Sequence, residues 1–490
     1  MLISTVINFV LPHILTSREG FSERGRKNML QWLNDNVIWG APMLVIYLLT
    51  GIIFTVKIRF SQFTRLNGIF SRTLLSKTKE KSDGKNLSPL QTLTSALATT
   101  LGTGNIVAVG AAVAIGGAGA VFWMLLSSFL GMATCYGENV LGMKHRVKRE
   151  DGSWFGGAFH YITAAFNTPL AGKLYAILCV AASVGIGNMT QINAMSEALN
   201  VAFGIPVWII GAFATVLLIW LIFGGIRLFG RVTEKVIPVI SIIYVIGCFA
   251  VIGMNVTELP KVIGEIFTEA FNISAVSGGI FGSVMMKSMS WGFRRGVFSN
   301  EAGLGSSVML NSATQSDDPH KQGMWAMLQV FFDTVVMCTL TALTLLVTGG
   351  DMVGTDGISN AVYAFGGIFG EYSAGFVAIS ITVFAITTAA GWSVYGSSSL
   401  EYLTGGKKGR NIYLTIFALA TMVGATMKIE FIWQLSDLLN GLMAMPNLPA
   451  VLILSHEVTK EFFGKKEKIN TLKYENKHSN NIAEIERKTG

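Results

Sequence analysis

The chain has 490 residues, of which 51% are hydrophobic and only 13% are charged, and its mean hydropathy is +0.52. This composition excludes an ordinary globular protein and indicates a chain that crosses a membrane many times. The formal net charge of +8 lies on loops and termini, which fits a cytoplasmic membrane face and argues against a nucleic-acid partner. The six histidines and four cysteines show no catalytic or metal-ligand spacing, so the sequence does not indicate an enzyme.

Residues 1–37 form an N-terminal extension. Its first 16 residues are mostly apolar and the basic residues follow them, which is the reverse of a secretory signal, so we expect an interfacial helix. The alternative is that translation starts at Met29 and that residues 1–28 are absent from the native protein. An additional N-terminal transmembrane helix is predicted at 38–57.

Ten more apolar segments follow, which gives about eleven transmembrane helices. Their approximate bounds are 90–115, 119–141, 172–200, 205–223, 236–254, 274–298, 323–348, 371–400, 410–427 and 430–455. Lys and Arg concentrate in alternate loops, which predicts an N-terminus outside the cell and a cytoplasmic C-terminus. Residues 456–490 mix both charges and are expected to form a flexible cytoplasmic tail.

The segment at 90–115 contains Gly102-Thr103-Gly104-Asn105. Each glycine costs a helix interior about 1 kcal/mol relative to alanine, so this stretch predicts an interrupted helix. Within the hydrocarbon layer, irregular backbone occurs where it is buried in protein or lines a polar cavity. The stretch therefore indicates a binding site, and the alternative is a glycine packing notch between helices.

The ten spans after the first divide into two sets of five, over residues 90–254 and 274–455. Because five is odd, the two sets have opposite orientations in the membrane. The second set also has glycines near its start, in Gly278-Gly279-Ile280-Phe281-Gly282-Ser283. Interrupted helices at corresponding positions of inverted halves mark the binding site of a transporter. We therefore predict an all-α polytopic membrane protein in which the first helix of each repeat is broken.

Two such breaks suit a small zwitterion such as an amino acid. The N-termini of half-helices offer N–H groups to a carboxylate, and unwound carbonyls accept hydrogen bonds from an ammonium group. In this geometry Thr103 and Gly104 donate to the carboxylate. Carbonyls around Phe281–Ser283 receive the ammonium group.

Two adjacent threonines, Thr387 and Thr388, lie at mid-depth of the span at 371–400. Their hydroxyls either bond within their own helix or join carbonyls freed by the first break in an all-oxygen site for a hard cation. Neutral oxygens suit sodium better than a divalent ion. Trp392 follows one turn later on the same face, where it either closes the substrate pocket or packs as a core aromatic residue.

Other polar residues in apolar spans have two interpretations each. Asp333 and Asp437 are candidates for function because an ionisable group is costly within a membrane, and the alternative is that they bond freed backbone. Gln191 and Asn193 either contact the substrate or join helices.

Four motifs resemble the alanine or glycine:cation symporter family, over roughly residues 30–455. The run from Arg295 to Ser306 is the most specific of them. The motifs are Gly102-Thr103-Gly104-Asn105-Ile106, Gly185-Ile186-Gly187-Asn188-Met189, Arg295-Gly296-Val297-Phe298-Ser299-Asn300-Glu301-Ala302-Gly303-Leu304-Gly305-Ser306 and Asn440-Gly441-Leu442-Met443-Ala444-Met445-Pro446-Asn447.

This resemblance implies sodium-coupled uptake of small neutral amino acids, alanine and glycine above all, by alternating access on the leucine-transporter-type fold. It implies a location in the cell membrane, with the lipid bilayer and the substrate as partners and no obligate protein partner evident. The implied sodium ligands are carbonyls of Ala98, Leu101 and Phe384 with Thr387 and Thr388. The implied substrate contacts are Thr103, Gly104, Gln191, Phe281, Gly282 and Trp392.

Two positions depart from the family pattern. An aromatic residue usually precedes the glutamine, whereas Thr190 precedes Gln191 here. An acidic residue can also stand four residues before Thr103. Thr99 stands there in this chain. Thr99, Asn105, Asp333 and Asp437 are candidates for an additional ion-binding or gating role. Within the same fold the alternative function is proton-coupled transport, and outside it the alternative is a channel.

Overall fold

The computed structural model describes residues 29–74, 85–271, 281–406, 409–427 and 429–464, which are almost entirely helical. The predicted interfacial helix before Met29 lies outside the described residues, as does the chain after Gly464. Residues 456–464, which were predicted to begin the flexible tail, are helical instead. Strands β1 (Val147–Lys148) and β2 (Trp154–Phe155) pair antiparallel between two helices. The helices are α1 (Ala41–Lys57), α2 (Ser61–Thr64), α3 (Leu66–Arg72), α4 (Pro89–Thr100), α5 (Val107–Gly116), α6 (Gly119–His145), α7 (Ala158–Phe166), α8 (Pro169–Val184), α9 (Thr190–Phe203), α10 (Val207–Phe223), α11 (Gly225–Met254), α12 (Leu259–Phe271), α13 (Phe281–Asn300), α14 (Val308–Ser312), α15 (Pro319–Val330), α16 (Thr339–Thr348), α17 (Gly357–Phe369), α18 (Ser373–Thr404), α19 (Arg410–Thr426) and α20 (Ile429–Ile453).

Many of these helices have the length and composition of membrane spans. In the described part of the chain, 6 helical stretches are long and apolar enough to cross a membrane, and 2 bent helix pairs pass the same test together. Helix α10 is shorter and apolar, and its Trp208, Phe213 and Trp220 are exposed, as lipid-facing side chains are. The prediction of a helical protein that crosses the membrane several times is confirmed.

The predicted interruption at Gly102 is confirmed. Helix α4 begins with a capping box in which Ser88 and Gln91 each accept a hydrogen bond from the other's backbone N–H, at 3.2 Å. It ends at Thr100, a single 3-10 turn covers Thr103–Asn105, and the direction of the chain bends by 60° before α5 continues.

The second set of spans differs from the prediction. Residues 278–280 lie outside the described residues, and from Phe281 the chain is helical up to Asn300. Irregular backbone follows helix α13, in residues 301–307, which we call the 301–307 segment. Glu301, Gly303 and Gly305 have φ values of 58°, 88° and 70° there. Because a non-glycine residue rarely adopts a positive φ, Glu301 needs support from its surroundings.

Apart from Asn34–Ile38, which precedes α1, two π-helical turns interrupt long helical stretches of the described chain, and the sequence pattern did not reveal them. Gly185–Met189 lies between α8 and α9, and Phe331–Cys338 lies between α15 and α16. A π turn shifts the hydrogen-bond pattern of a helix and is frequent at functional sites. The first of these turns coincides with a family motif, and the second contains Asp333.

Helices α5 and α17 touch backbone to backbone, because a Cβ at Gly357 would lie 2.1 Å from the carbonyl oxygen of Val107. We expect Gly357→Ala to lower the thermal unfolding midpoint in detergent, since overpacking of this kind costs about 1–3 kcal/mol. Gly366→Ala in the same helix is the control, because nothing lies within 4 Å of a Cβ there. A midpoint for Gly357→Ala at or above that of the control would contradict the backbone contact.

Candidate functional site

The first break is a meeting point of helices from both halves of the chain. Its residues contact Gln191 of α9, Ser299 of α13 and Thr388 of α18. Thr103 and Asn105 are fully buried. The site predicted from the glycines is therefore an internal one, surrounded by protein rather than by lipid.

Three of the five residues expected to bind sodium come together. The Thr388 hydroxyl donates to the Ala98 carbonyl at 3.0 Å and to the Leu101 carbonyl at 3.2 Å. The Thr387 hydroxyl bonds within α18 instead, and one of its acceptors is the Phe384 carbonyl at 3.1 Å. The group formed at the break contains only neutral oxygens, which suits a hard cation.

Gln191 occupies the place that the sequence assigned to a carboxylate. Its Oε1 accepts hydrogen bonds from both the backbone N–H and the hydroxyl of Thr103, each at 3.0 Å. Its Nε2 donates to the Ile186 carbonyl in the π turn, at 3.2 Å. Asn193 joins helices, since it donates to the carbonyls of Gly424 and Met427. The amide of Gln191 shows that the donors of the break are accessible to an acceptor oxygen.

Trp392 packs against the same π turn. A Cβ built on Gly187 would lie 2.4 Å from this side chain, and the rings of Trp392 and Tyr395 are 5.2 Å apart. Thr99 lies against Gly391, the residue before Trp392. Its hydroxyl donates to the Ser95 carbonyl within α4 at 2.9 Å.

Phe281 and Gly282 are not brought to this site. Gly104 lies against Phe298 and Ser299, whose nearest atoms would be 3.2 and 3.5 Å from a Cβ at that position. Since Gly282 and Phe298 belong to the same continuous helix, a rise of about 1.5 Å per residue separates them by about 24 Å. Phe298 and Ser299 therefore take the place that was predicted for Phe281 and Gly282. The sequence signal that could have identified Phe298 and Ser299 is that both belong to the most specific family motif.

Asn105 and Asp333 form one polar cluster. The Asn105 amide donates to the Asp333 carboxylate at 2.9 Å and to the Ser299 hydroxyl at 3.0 Å, and its Oδ1 accepts the Gly102 N–H at 2.9 Å. The hydroxyls of Ser299 and Thr334 donate to the other Asp333 oxygen at 2.8 and 2.7 Å. The cluster therefore joins the first break to the end of α13 and to the second π turn.

Asp437 is paired with arginines rather than with freed backbone. Its carboxylate lies 2.6 Å from Arg294 and 3.1 Å from Arg295. The Arg295 guanidinium lies 5.0 Å from the Trp433 ring centre, and Trp433 stacks on Phe298 at 4.9 Å. Because Phe298 also touches Gly104, this group of residues covers the first break from one side.

Two cavities are lined by helices that border the break. One, of about 1130 Å³, is lined by Val107 and Ala111 of α5, and by Arg295 and Asp437. The other, of about 590 Å³, is lined by Leu87 near the start of α4 and by Ala390 and Ser393 of α18. Arg149 and Glu401 line the second cavity and are joined by two hydrogen bonds of 2.7 Å.

Residues 23–478 match the family described as the sodium:alanine symporter family. The sodium/alanine symporter AgcS of Methanococcus maripaludis is 36% identical to the chain over 87% of its length and 94% of the relative. The amino-acid carrier protein AlsT of Bacillus subtilis is 32% identical over 89% of the chain and 91% of the relative. The crystal structure of MhsT in complex with L-phenylalanine is similar with a TM-score of 0.54 and 12% identity, over 79% of the chain and 98% of that structure. This last similarity concerns the fold alone.

Asn105 holds three segments together, so we expect Asn105→Ala to lower the thermal unfolding midpoint. The substitution leaves the Gly102 N–H and one oxygen of the Asp333 carboxylate without a hydrogen-bond partner, and each buried group left unsatisfied costs about 1–3 kcal/mol. Asn200→Ala is the control, because among the described residues that amide bonds only the Ile205 carbonyl, at an exposed helix end. Equal midpoints for the two variants would show that the cluster does not stabilise the break.

Proposed function

We propose, because the chain belongs to the sodium:alanine symporter family, that it imports alanine and glycine together with sodium across the cell membrane. Membership makes it a cation-coupled amino acid transporter and not an enzyme. The observation that carries the proposal is the contact of the Thr388 hydroxyl with the carbonyls of Ala98 and Leu101 at the first break.

We propose that sodium binds among these oxygens. The carbonyls of Ala98 and Leu101 and the Thr388 hydroxyl supply three ligands. The Phe384 carbonyl, one turn before Thr388 in α18, and the hydroxyl of the adjacent Thr387 supply the other two ligands. The Thr387 hydroxyl first turns its oxygen towards the ion. Five neutral oxygens fit a monovalent hard cation, because no buried carboxylate is present among them to favour a divalent ion.

The proposed substrate lies on the other side of Gly102. Its carboxylate takes the donors of Thr103 and Gly104, and the Gln191 amide turns to donate to it. Trp392 and Phe298 enclose the small side chain. Carbonyls at the end of α13, beside Ser299, accept the ammonium group.

The proposed transport cycle alternates access through the two cavities. The pairs of Asp437 with Arg294 and Arg295 act as the outer gate, and the Asn105–Asp333 cluster is the candidate for an additional ion. This assignment supposes eleven crossings in a 5+5 inverted repeat after the first helix, an N-terminus outside and a cytoplasmic C-terminus.

Uptake of labelled alanine into proteoliposomes tests the coupling ion. Moving one charge down a membrane potential of 100 mV releases about 2.3 kcal/mol. This free energy supports about fifty-fold accumulation of alanine per sodium ion. We expect uptake to fall at least tenfold when choline replaces sodium, and glycine to compete with alanine better than phenylalanine does.

Two outcomes would overturn this function. Undiminished uptake in choline with an imposed proton gradient would establish proton coupling, which was the alternative from the sequence. A flux that does not saturate at millimolar alanine would indicate a channel.

The Thr388 hydroxyl gives a sharper test of the ion site. We expect Thr388→Ala to raise the sodium concentration for half-maximal uptake by about tenfold, which corresponds to about 1.4 kcal/mol. Thr388→Ser keeps the hydroxyl and is expected to behave like the unchanged protein. An unaltered sodium dependence in Thr388→Ala would remove this residue from the site.

A further inference from the structure

Glu138 is a buried carboxylate to which the proposed transport function assigns no role. It lies on α6 and is 0% exposed. Its Oε1 accepts hydrogen bonds from the Gly305 N–H at 3.1 Å and from the Asn447 amide. Its Oε2 is buried and accepts no hydrogen bond of good geometry from the described residues. A buried polar atom without a partner calls for an explanation, such as a bound proton, ion or water.

The residues around Glu138 hold the 301–307 segment in place. The Asn447 amide also donates to the Gly303 carbonyl at 2.9 Å, and its oxygen accepts from the Tyr161 hydroxyl. The Tyr175 hydroxyl donates to the Leu304 carbonyl at 2.8 Å. Side chains from α6, α7, α8 and α20 therefore form one network around residues 303–305, which we call the clamp.

No positive charge compensates Glu138 within the described residues. Four titratable side chains are close enough to interact electrostatically with its carboxylate, and none of them carries a positive charge. They are Tyr47, Cys135, Tyr161 and Tyr175. No described ion pair joins it to the charged or titratable groups on the elements packed against α6, which are Lys57, His160, Lys261, Glu265, Glu269, Lys287, Arg294, Arg295, His320, Lys321, Asp333 and Asp437. Glu301, at the start of the 301–307 segment, adds a second carboxylate and no counter-charge.

The chemistry of the surrounding groups selects a proton as the ligand. A metal ion needs several oxygen ligands, whereas Glu138 faces the donors of Gly305 and Asn447. Tyr47 lies against the clamp, because its ring would be 2.7 Å from a Cβ at Gly303. Its hydroxyl is also buried and has no hydrogen-bond partner in the described part of the chain. A proton on Oε2 removes the charge that an apolar interior disfavours.

We propose that Glu138 is a proton-binding site of the clamp, neutral while residues 303–305 are held as described and ionised when the clamp opens to water. Proton binding then favours the clamped conformation, and acid slows any transport step in which the 301–307 segment moves. This inference rests on the proposed transport function for its kinetic consequence, but its effect on stability is independent of transport.

The kinetic test compares uptake at saturating sodium and alanine between about pH 5.5 and 8.5, a range in which an exposed glutamate stays ionised. We expect the uptake rate of the unchanged protein to fall severalfold towards acid pH. Glu138→Gln, which imitates the protonated form, is expected to lose this dependence. Glu265→Gln, a change at a carboxylate of α12 in a surface pair with Lys261, is the control and is expected to keep it. A pH dependence in Glu138→Gln equal to that of the control, or a flat profile in the unchanged protein, would overturn the proposal.

The second test needs no transport activity. A group that gains a proton on folding makes the protein less stable as pH rises. The thermal midpoint of the unchanged protein relative to that of Glu138→Gln is therefore expected to fall with rising pH in detergent. A constant difference would overturn the proton site even if Glu138→Gln is inactive in uptake. Failure of sodium-dependent uptake in the unchanged protein would count against the proposed function alone.

Discussion

The structure depends on a constraint of the hydrocarbon layer, in which every backbone group that leaves a helix must find a partner within the protein. At the first break, the Gly102 N–H is bonded by Asn105 and the Thr103 N–H by Gln191. The Leu101 carbonyl accepts from Thr388. Side chains on other helices therefore determine the shape of the break, and the groups that stabilise it are the same groups that a ligand would contact.

The first break could be predicted from the sequence because the cost of glycine in a helix is a local property. The second irregular segment could not be placed in the same way. Glycines at 278–282 and at 303–305 look alike in composition, and the conformation of the latter depends on Glu138, Asn447 and Tyr175. The π turn around Asp333 has no compositional mark either, since a single shift in hydrogen bonding creates it.

For contacts between distant parts of the chain, the sequence likewise predicts some features and not others. A polar residue in an apolar span must have a partner, so Gln191 and Asp437 could be singled out without knowing which partners they have. Ala98 and Thr388 are separated by 290 positions, and no periodic pattern predicts that the two meet. The sequence offered a contact of Thr388 with freed carbonyls as one of two alternatives, and the resemblance to a family named Ala98. The pairing of Asp437 with Arg295 was not predicted, because it depends on how α13 packs against α20.

The position of Gly102 explains how an ion and a substrate can affect each other at this site. Leu101 contributes a carbonyl to the proposed sodium site and Thr103 contributes its N–H to the proposed substrate site, with one residue between them. A Cβ at Gly102 would lie 2.8 Å from both the Thr388 hydroxyl and Gln191 Oε1, so the two sites share this wall. An ion that fixes the Leu101 carbonyl also fixes the direction of the Thr103 N–H. Coupling free energies between sites are typically about 1–3 kcal/mol, and the ordering of a few backbone torsions supplies that amount without any contact between the ion and the amino acid.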